Sequence, residues 1–146
     1  MSDYRVREAT EIDASEIARI EKASFSTPWS EEMILSEMRE PLSSFFVIEF
    51  NNTIIGYYGF LHILDELHIL NVAVDPSYRG RKVGSALIEH LLERGRAFSV
   101  RAVTLEVRES NLPAIKLYEK YGFHSVGIRP HYYTDKENAL IYWLEL

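Results

Sequence analysis

Residues Asn71 to Leu92, NVAVDPSYRGRKVGSALIEHLL, constrain the fold more than any other part of the chain. The run starting at Asn71 is apolar enough for a buried strand, and Asp75-Pro76 marks a tight polar turn. A loop rich in Gly and Arg then opens an amphipathic helix with Val83, Leu87, Leu91 and Leu92 on its apolar stripe. A helix N-terminus carries unpaired backbone N–H groups and a partial positive charge, so this junction is suited to holding phosphate oxygens. Taken alone, the loop is equally readable as a turn that contains glycine for its geometry only.

The length of 146 residues suits one domain spanning 1–146. Hydrophobic residues at 47% supply a core without metal or disulfide staples. The absence of cysteine excludes disulfides, thiolate metal sites and a Cys nucleophile. No apolar run is long enough to cross a bilayer and no charged-then-apolar leader opens the chain, so a cytoplasmic protein with no membrane partner is expected. The net charge of −6 argues against a nucleic-acid partner and is compatible with a basic peptide substrate, although mild acidity also serves solubility alone. His62, His68, His90, His124 and His131 show no metal-ligand spacing, so no metal is expected.

The periodicity predicts a mixed α/β fold. Tyr4 to Arg7 alternates as a first strand. Thr10 caps a helix carrying Ile12, Ile17, Ile20 and Phe25, with Asp13 as a capping-box partner. Ser30 caps a second helix through Met33, Ile34 and Met38, and Pro41 stops it. Phe45 to Phe50 and Ile54 to Leu64 form a hairpin across Asn51-Asn52, and Leu67 to Val74 adds a third strand of the meander. After the long helix, Ala102 to Val107 is a strand with Val103, Leu105 and Val107 on one face. Asn111 caps a further helix, with Pro113 in its first turn and Gly122 as its left-handed end. Phe123 to Ile128 and Ala139 to Leu146 are the last strands. The expected product is a mixed, mostly antiparallel sheet with helices on both faces.

The loop Arg79, Gly80, Arg81, Lys82, Val83, Gly84, Ser85 is neither a Walker loop nor a Rossmann fingerprint. It resembles the acyl-CoA-binding segment of the GCN5-related N-acetyltransferase (GNAT) family, whose pattern is Gln/Arg-x-x-Gly-x-Gly/Ala. Arg79 matches the first position and Gly84 the last. Lys82 stands where the family usually has its first glycine, which raises a question about the backbone there, because Lys is strained at positive φ. LEVRESNLPAIKLYEKYGF from Leu105, FSTPWSEE from Phe25 and RPHYY from Arg129 extend the resemblance over nearly the whole chain. It is nearest to the bacterial ribosomal-protein-alanine N-acetyltransferases of the RimI type and their archaeal relatives.

The resemblance implies the GNAT fold, acetyl-CoA as cosubstrate, and a protein N-terminus as acceptor: the alanine of the eighteenth small-subunit ribosomal protein. It implies that Val72, Ala73 and Val74 offer backbone to the pantetheine arm, that Arg79 and the loop from Gly80 through Ser85 hold the pyrophosphate, and that Asn111 binds near the thiol. Glu106 would be the general base and Tyr118 the general acid. An α-amine has a pKa of about 7.7–8.0, so a carboxylate is needed to deprotonate it near neutrality. The departing thiolate then needs a proton, which a phenol can give.

Read from the residues alone, each role has a plainer alternative. Glu106 points away from Leu105 and Val107, where a solvated carboxylate or ion-pair partner also belongs. Tyr118 lies on an apolar helix stripe, like many core tyrosines. Asn111 is a helix cap whether or not it is a ligand. Tyr132 and Tyr133 suit an acceptor groove or an ordinary surface, and Glu66, next to Asp65, suits a basic substrate or a solvated turn. The rival functions are transfer to lysine or a small amine, and acyl-CoA sensing without turnover.

Overall fold

The structure, a computed structural model, describes residues 3–146, so Met1 and Ser2 of the expected domain lie outside it. Seven strands form one sheet: β1 (Tyr4–Glu8), β2 (Ser43–Phe50), β3 (Thr53–Ile63), β4 (Glu66–Val74), β5 (Ala102–Arg108), β6 (His124–Arg129) and β7 (Ala139–Glu145). Their order across the sheet is β1-β2-β3-β4-β5-β7-β6. Only the β4–β5 pair is parallel; the others are antiparallel. Four helices cover the sheet: α1 (Ala14–Ser24), α2 (Glu31–Met38), α3 (Val83–Ala97) and α4 (Leu112–Lys120). Among the described residues, no helix is long and apolar enough to cross a membrane.

The helices lie on both faces because the central strands are apolar on both. In β2, Phe45 and Val47 pack with Ile17 and Ile20 of α1 and Ile34 of α2. Their neighbours Phe46 and Ile48 point the other way, against Leu87, Ile88 and Leu91 of α3. Such uninterrupted apolar strands are what a sheet buried on both sides requires. Each fully buried Ile or Leu contributes about 1.5–3 kcal/mol relative to exposure.

Local signals set the element ends. Asn51 and Asn52 both adopt positive φ, at 51° and 64°, making the two-residue β2–β3 turn. The Ser30 side chain accepts from the Met33 N–H at 3.2 Å, and Gly122 leaves α4 at φ 94°. One expectation is corrected at α1. Glu11–Asp13 form a 3-10 turn ahead of the helix, so Ile12 falls off the buried stripe and is 89% exposed. Met33 is likewise half-exposed on α2.

Gly59 pairs with Phe45 across the β2–β3 ladder and lies against its ring. A Cβ there would lie 2.7 Å from Cε2 of Phe45. Gly59→Ala is expected to destabilise the protein by about 1–3 kcal/mol through overpacking, lowering the urea midpoint without changing the slope.

Candidate active site

The site begins where the sheet comes apart. β4 and β5 pair only through Glu66–Ala102, Leu67–Val103 and His68–Thr104, yet β4 continues to Val74 and β5 to Arg108. The β3–β4 ladder skips one residue of β4, passing from Phe60–Ile69 to Gly59–Asn71, so Leu70 is a bulge. Bulges bend and twist the strand that carries them, here just past its last pair with β5. The bulge also shifts the side-chain alternation. Leu67 and Ile69 face α3, and beyond the bulge Val72 and Val74 do so, while Leu70 and Ala73 face α1.

Beyond the bulge, β4 still pairs with β3, through Tyr58–Val72, Tyr57–Ala73 and Gly56–Val74. The Asp75 N–H donates to the Ile55 carbonyl at 2.8 Å. Hydrogen-bonded pairs alternate along an antiparallel ladder, so Ala73 spends its backbone groups on Tyr57. Those of Val72 and Val74 point into the gap toward β5. This refines the expectation that all three residues offer backbone to a ligand.

A cavity of about 570 Å3 fills the α3 end of the gap. Its walls include Val72, Ala73, Val74, Arg79, Gly80, Lys82, Val83, Gly84, Ser85 and Asn111, ten of the eleven residues expected to bind the cosubstrate. The exception is Arg81, whose guanidinium lies 5.3 Å from the Tyr78 ring centroid and is absent from the lining. Gly80 and Lys82 both take positive φ, at 78° and 64°, and α3 starts at Val83 with no side-chain cap. Closely spaced left-handed residues turn backbone N–H groups toward one concavity, and the uncapped first turn of α3 adds its own. Lys82 thus holds the left-handed geometry that glycine would hold without strain, at a cost of about 1–2 kcal/mol. Gly84 lets α4 approach: a Cβ there would meet Cδ2 of Leu117 at 3.1 Å.

A second cavity, about 300 Å3, lies on the α1 side and is lined by Glu106, Tyr132 and Tyr133 among others. Val72, Arg108, Asn111 and Tyr118 line both cavities, so the two meet there. Glu106 faces this cavity because Leu105 and Val107 face the core. Its side chain is 28% exposed, and its Oε2 accepts from Arg129 Nε at 3.4 Å. Tyr118 is buried, and burial, with Tyr133 adding to it, holds its phenol above the usual pKa and so protonated. Asn111 caps α4 through Oδ1, which accepts from the Ala114 N–H at 3.3 Å, and its side chain also borders both cavities. Tyr132 is half-exposed and meets Tyr133 edge-on at 5.1 Å; burial pushes the Tyr133 phenol up to about 12.

Glu66 is not brought to either cavity. It lies at the closed end of the β4–β5 ladder, where its carboxylate accepts from Arg101 at 2.6 Å and meets His68 at 3.1 Å. Two residues of the second cavity carry no expectation from the sequence. Arg108 ends β5 and ties the β6–β7 loop to it, pairing with Asp135 and Glu137 at 2.8 Å each and sitting 4.0 Å from the Tyr133 ring centroid. Glu21 of α1 is only 1% exposed. Its Oε2 accepts from Tyr57 and Asn71 at 2.7 Å each, and its Oε1 accepts from the Trp29 N–H at 2.9 Å. Burial raises its pKa, partly offset by the Trp29 and Tyr57 donors. The available signal was positional: Glu21 sits at i+4 from Ile17, on the buried stripe.

Residues 14–123 match the Acetyltransferase (GNAT) family. The chain belongs to this family. Within it, the [ribosomal protein bS18]-alanine N-acetyltransferase of Escherichia coli K12 is 37% identical over 137 residues, covering 92% of this chain and 90% of that protein. The crystal structure of the Escherichia coli ribosomal-protein-S18-alanine N-acetyltransferase superposes with a TM-score of 0.90 at 34% identity, covering 97% and 93% of the two chains. That of Ard1 from Thermoplasma volcanium gives 0.94 at 33% identity, covering 99% and 98%. GNAT acetyltransferases use acetyl-CoA, and two features of the larger cavity fit its pantetheine amides and hydroxyl. The backbone of Val72 and Val74 lacks a ladder partner on that side, and the buried Ser24 Oγ at the wall has no hydrogen-bond partner among the described residues.

Two outcomes follow from the backbone and the buried carboxylate. Lys82→Gly should raise unfolding stability by up to about 1 kcal/mol, because the strain relieved exceeds the added chain entropy of glycine; chemical denaturation measures it. Glu21 has a folded pKa above its unfolded one, so its ionisation opposes folding. Stability of the parent protein should therefore fall relative to Glu21→Gln as pH rises above the ordinary carboxylate range, read from paired melting curves.

Proposed function

We propose that this chain transfers the acetyl group of acetyl-CoA to the α-amine of a protein N-terminus, with the N-terminal alanine of ribosomal protein bS18 as natural acceptor. The observation that carries this reading is the meeting of two cavities at Tyr118 and Asn111, one under a phosphate-type turn and the other holding Glu106. The similarity to the Escherichia coli bS18-alanine enzyme, across nine-tenths of both chains, supports the choice of acceptor. The net charge of −6 suits a basic polypeptide terminus, and acetylation removes that terminus's positive charge. On this reading the protein acts in the cytoplasm.

Acetyl-CoA supplies an acetyl group already activated as a thioester. The remaining work falls to the chain's own groups. The turn from Arg79 through Ser85 holds the phosphates with backbone N–H groups and the Lys82 ammonium. The N–H groups of Val72 and Val74 orient the acyl arm and stand ready for charge developing on oxygen. Glu106 takes the proton of the attacking amine, directly or through water. Tyr118, kept protonated by burial, faces the junction of the cavities and donates to the departing sulfur. No covalent enzyme intermediate is needed, in keeping with a chain that has no cysteine.

The test is mass spectrometry of a peptide with an Ala-Arg N-terminus and one internal lysine, after incubation with protein and acetyl-CoA. One acetyl group on the α-amine is expected. Acetyl on the lysine would replace this reading with side-chain transfer, and no acetyl despite acetyl-CoA binding would replace it with a different acceptor, a missing partner or sensing. Glu106→Gln should lower kcat by about 10²–10⁴-fold while leaving acetyl-CoA affinity within about twofold.

A further inference from the structure

We propose that the Glu21 carboxylate is the counter-charge for the cationic amine of the acceptor in the second cavity, an assignment that rests on the N-terminal acceptor reading above. Glu21 lines that cavity but not the larger one. It is almost wholly covered from bulk water, and its three hydrogen-bond donors, Tyr57 O–H, Asn71 Nδ2–H and Trp29 N–H, are all neutral. Among the described residues it has no ion-pair partner. A buried charge without a counter-ion is strongly unfavourable unless something supplies one.

The surrounding groups leave that place to the ligand. Arg108, a cation on the same cavity wall, is already held by Asp135 and Glu137. Arg129 is engaged with Glu106. Of the two carboxylates that line the cavity, Glu106 and Glu21, only Glu21 has no cationic partner among the described residues. Three donors from β3, β4 and the α1–α2 loop converge on it and favour the anionic form against the burial that disfavours it, so an entering cation completes what the donors only partly supply. An α-ammonium entering the cavity meets this charge across a low-dielectric wall, where attraction is stronger than in water. Glu106 is left to remove the proton, while Glu21 holds the amine end of the peptide in place. Acetylation deletes the cation and with it the attraction, which favours release of the product.

The test is calorimetric binding of two peptides of the same sequence, one with a free N-terminal alanine and one with that alanine acetylated. Both are titrated into the acetyl-CoA-free parent protein and into Glu21→Gln. Glu21→Gln should weaken the amine peptide by about tenfold or more and leave the acetylated peptide within about twofold. Equal weakening of both peptides, or of neither, overturns the assignment while leaving N-terminal transfer intact. A parent protein that binds neither peptide overturns the N-terminal acceptor reading itself, and this assignment with it. Should Glu21→Gln fail to fold, the double variant Glu21→Gln/Asn71→Asp carries the test. It returns one carboxylate to the same network on the same wall, so the preference for the amine peptide should persist; its absence overturns the assignment.

Discussion

Three ladder pairs join β4 to β5, and the rest of the site depends on the ladder ending there. A parallel pair in mid-sheet ordinarily spends its backbone groups on hydrogen bonds between the strands. Here the two strands part after His68 and Thr104, and the backbone of Val72 and Val74 is left for something other than protein. The helices then distribute the chemistry. The α3 side receives the turn with its inward N–H groups, and the α1 side receives Glu106 and the aromatic loop. Tyr118 reaches the junction because α4 follows β5 closely, entered through the Asn111 cap.

The two carboxylates that line the second cavity differ in their surroundings more than in their chemistry. Glu106 is partly solvated and already neutralised by Arg129 at 3.4 Å. Its strand neighbours Leu105 and Val107 fix its direction. Glu21 is held by three neutral donors and cut off from water. It acts through its field on whatever enters the cavity. Arg108 lines the same cavity and ties the β6–β7 loop to β5 through Asp135 and Glu137.

Features governed by local chemistry were legible in the sequence. The Asn51-Asn52 turn, the Ser30 and Asn111 caps and the exit at Gly122 depend on residues within a few positions of one another. So did the facing of Glu106, since alternation puts it opposite Leu105 and Val107. The question raised by Lys82 is answered by a left-handed residue at that position. Other features were not legible. Ile12 fits a helical stripe on spacing, but the chain forms a 3-10 turn there. Glu66 adjoins the right strand but at its closed end, a distinction that only the β4–β5 register makes. The spacing places Glu21 on the buried stripe of α1, but its donors Tyr57 and Asn71 lie 36 and 50 residues away.

The bulge at Leu70 separates the requirements of folding from those of function. Because it is one residue in surplus against β3, a strand lacking it would still send Leu67, Ile69, Val72 and Val74 to α3 and Asn71 and Ala73 to α1. The hydrophobic interior would be satisfied, and the straightened strand would be free to continue its pairing with β5. The alternation that the core needs is kept with or without the surplus residue, so the bulge answers to the cleft beside it, whose wall Leu70 itself forms, more than to the interior.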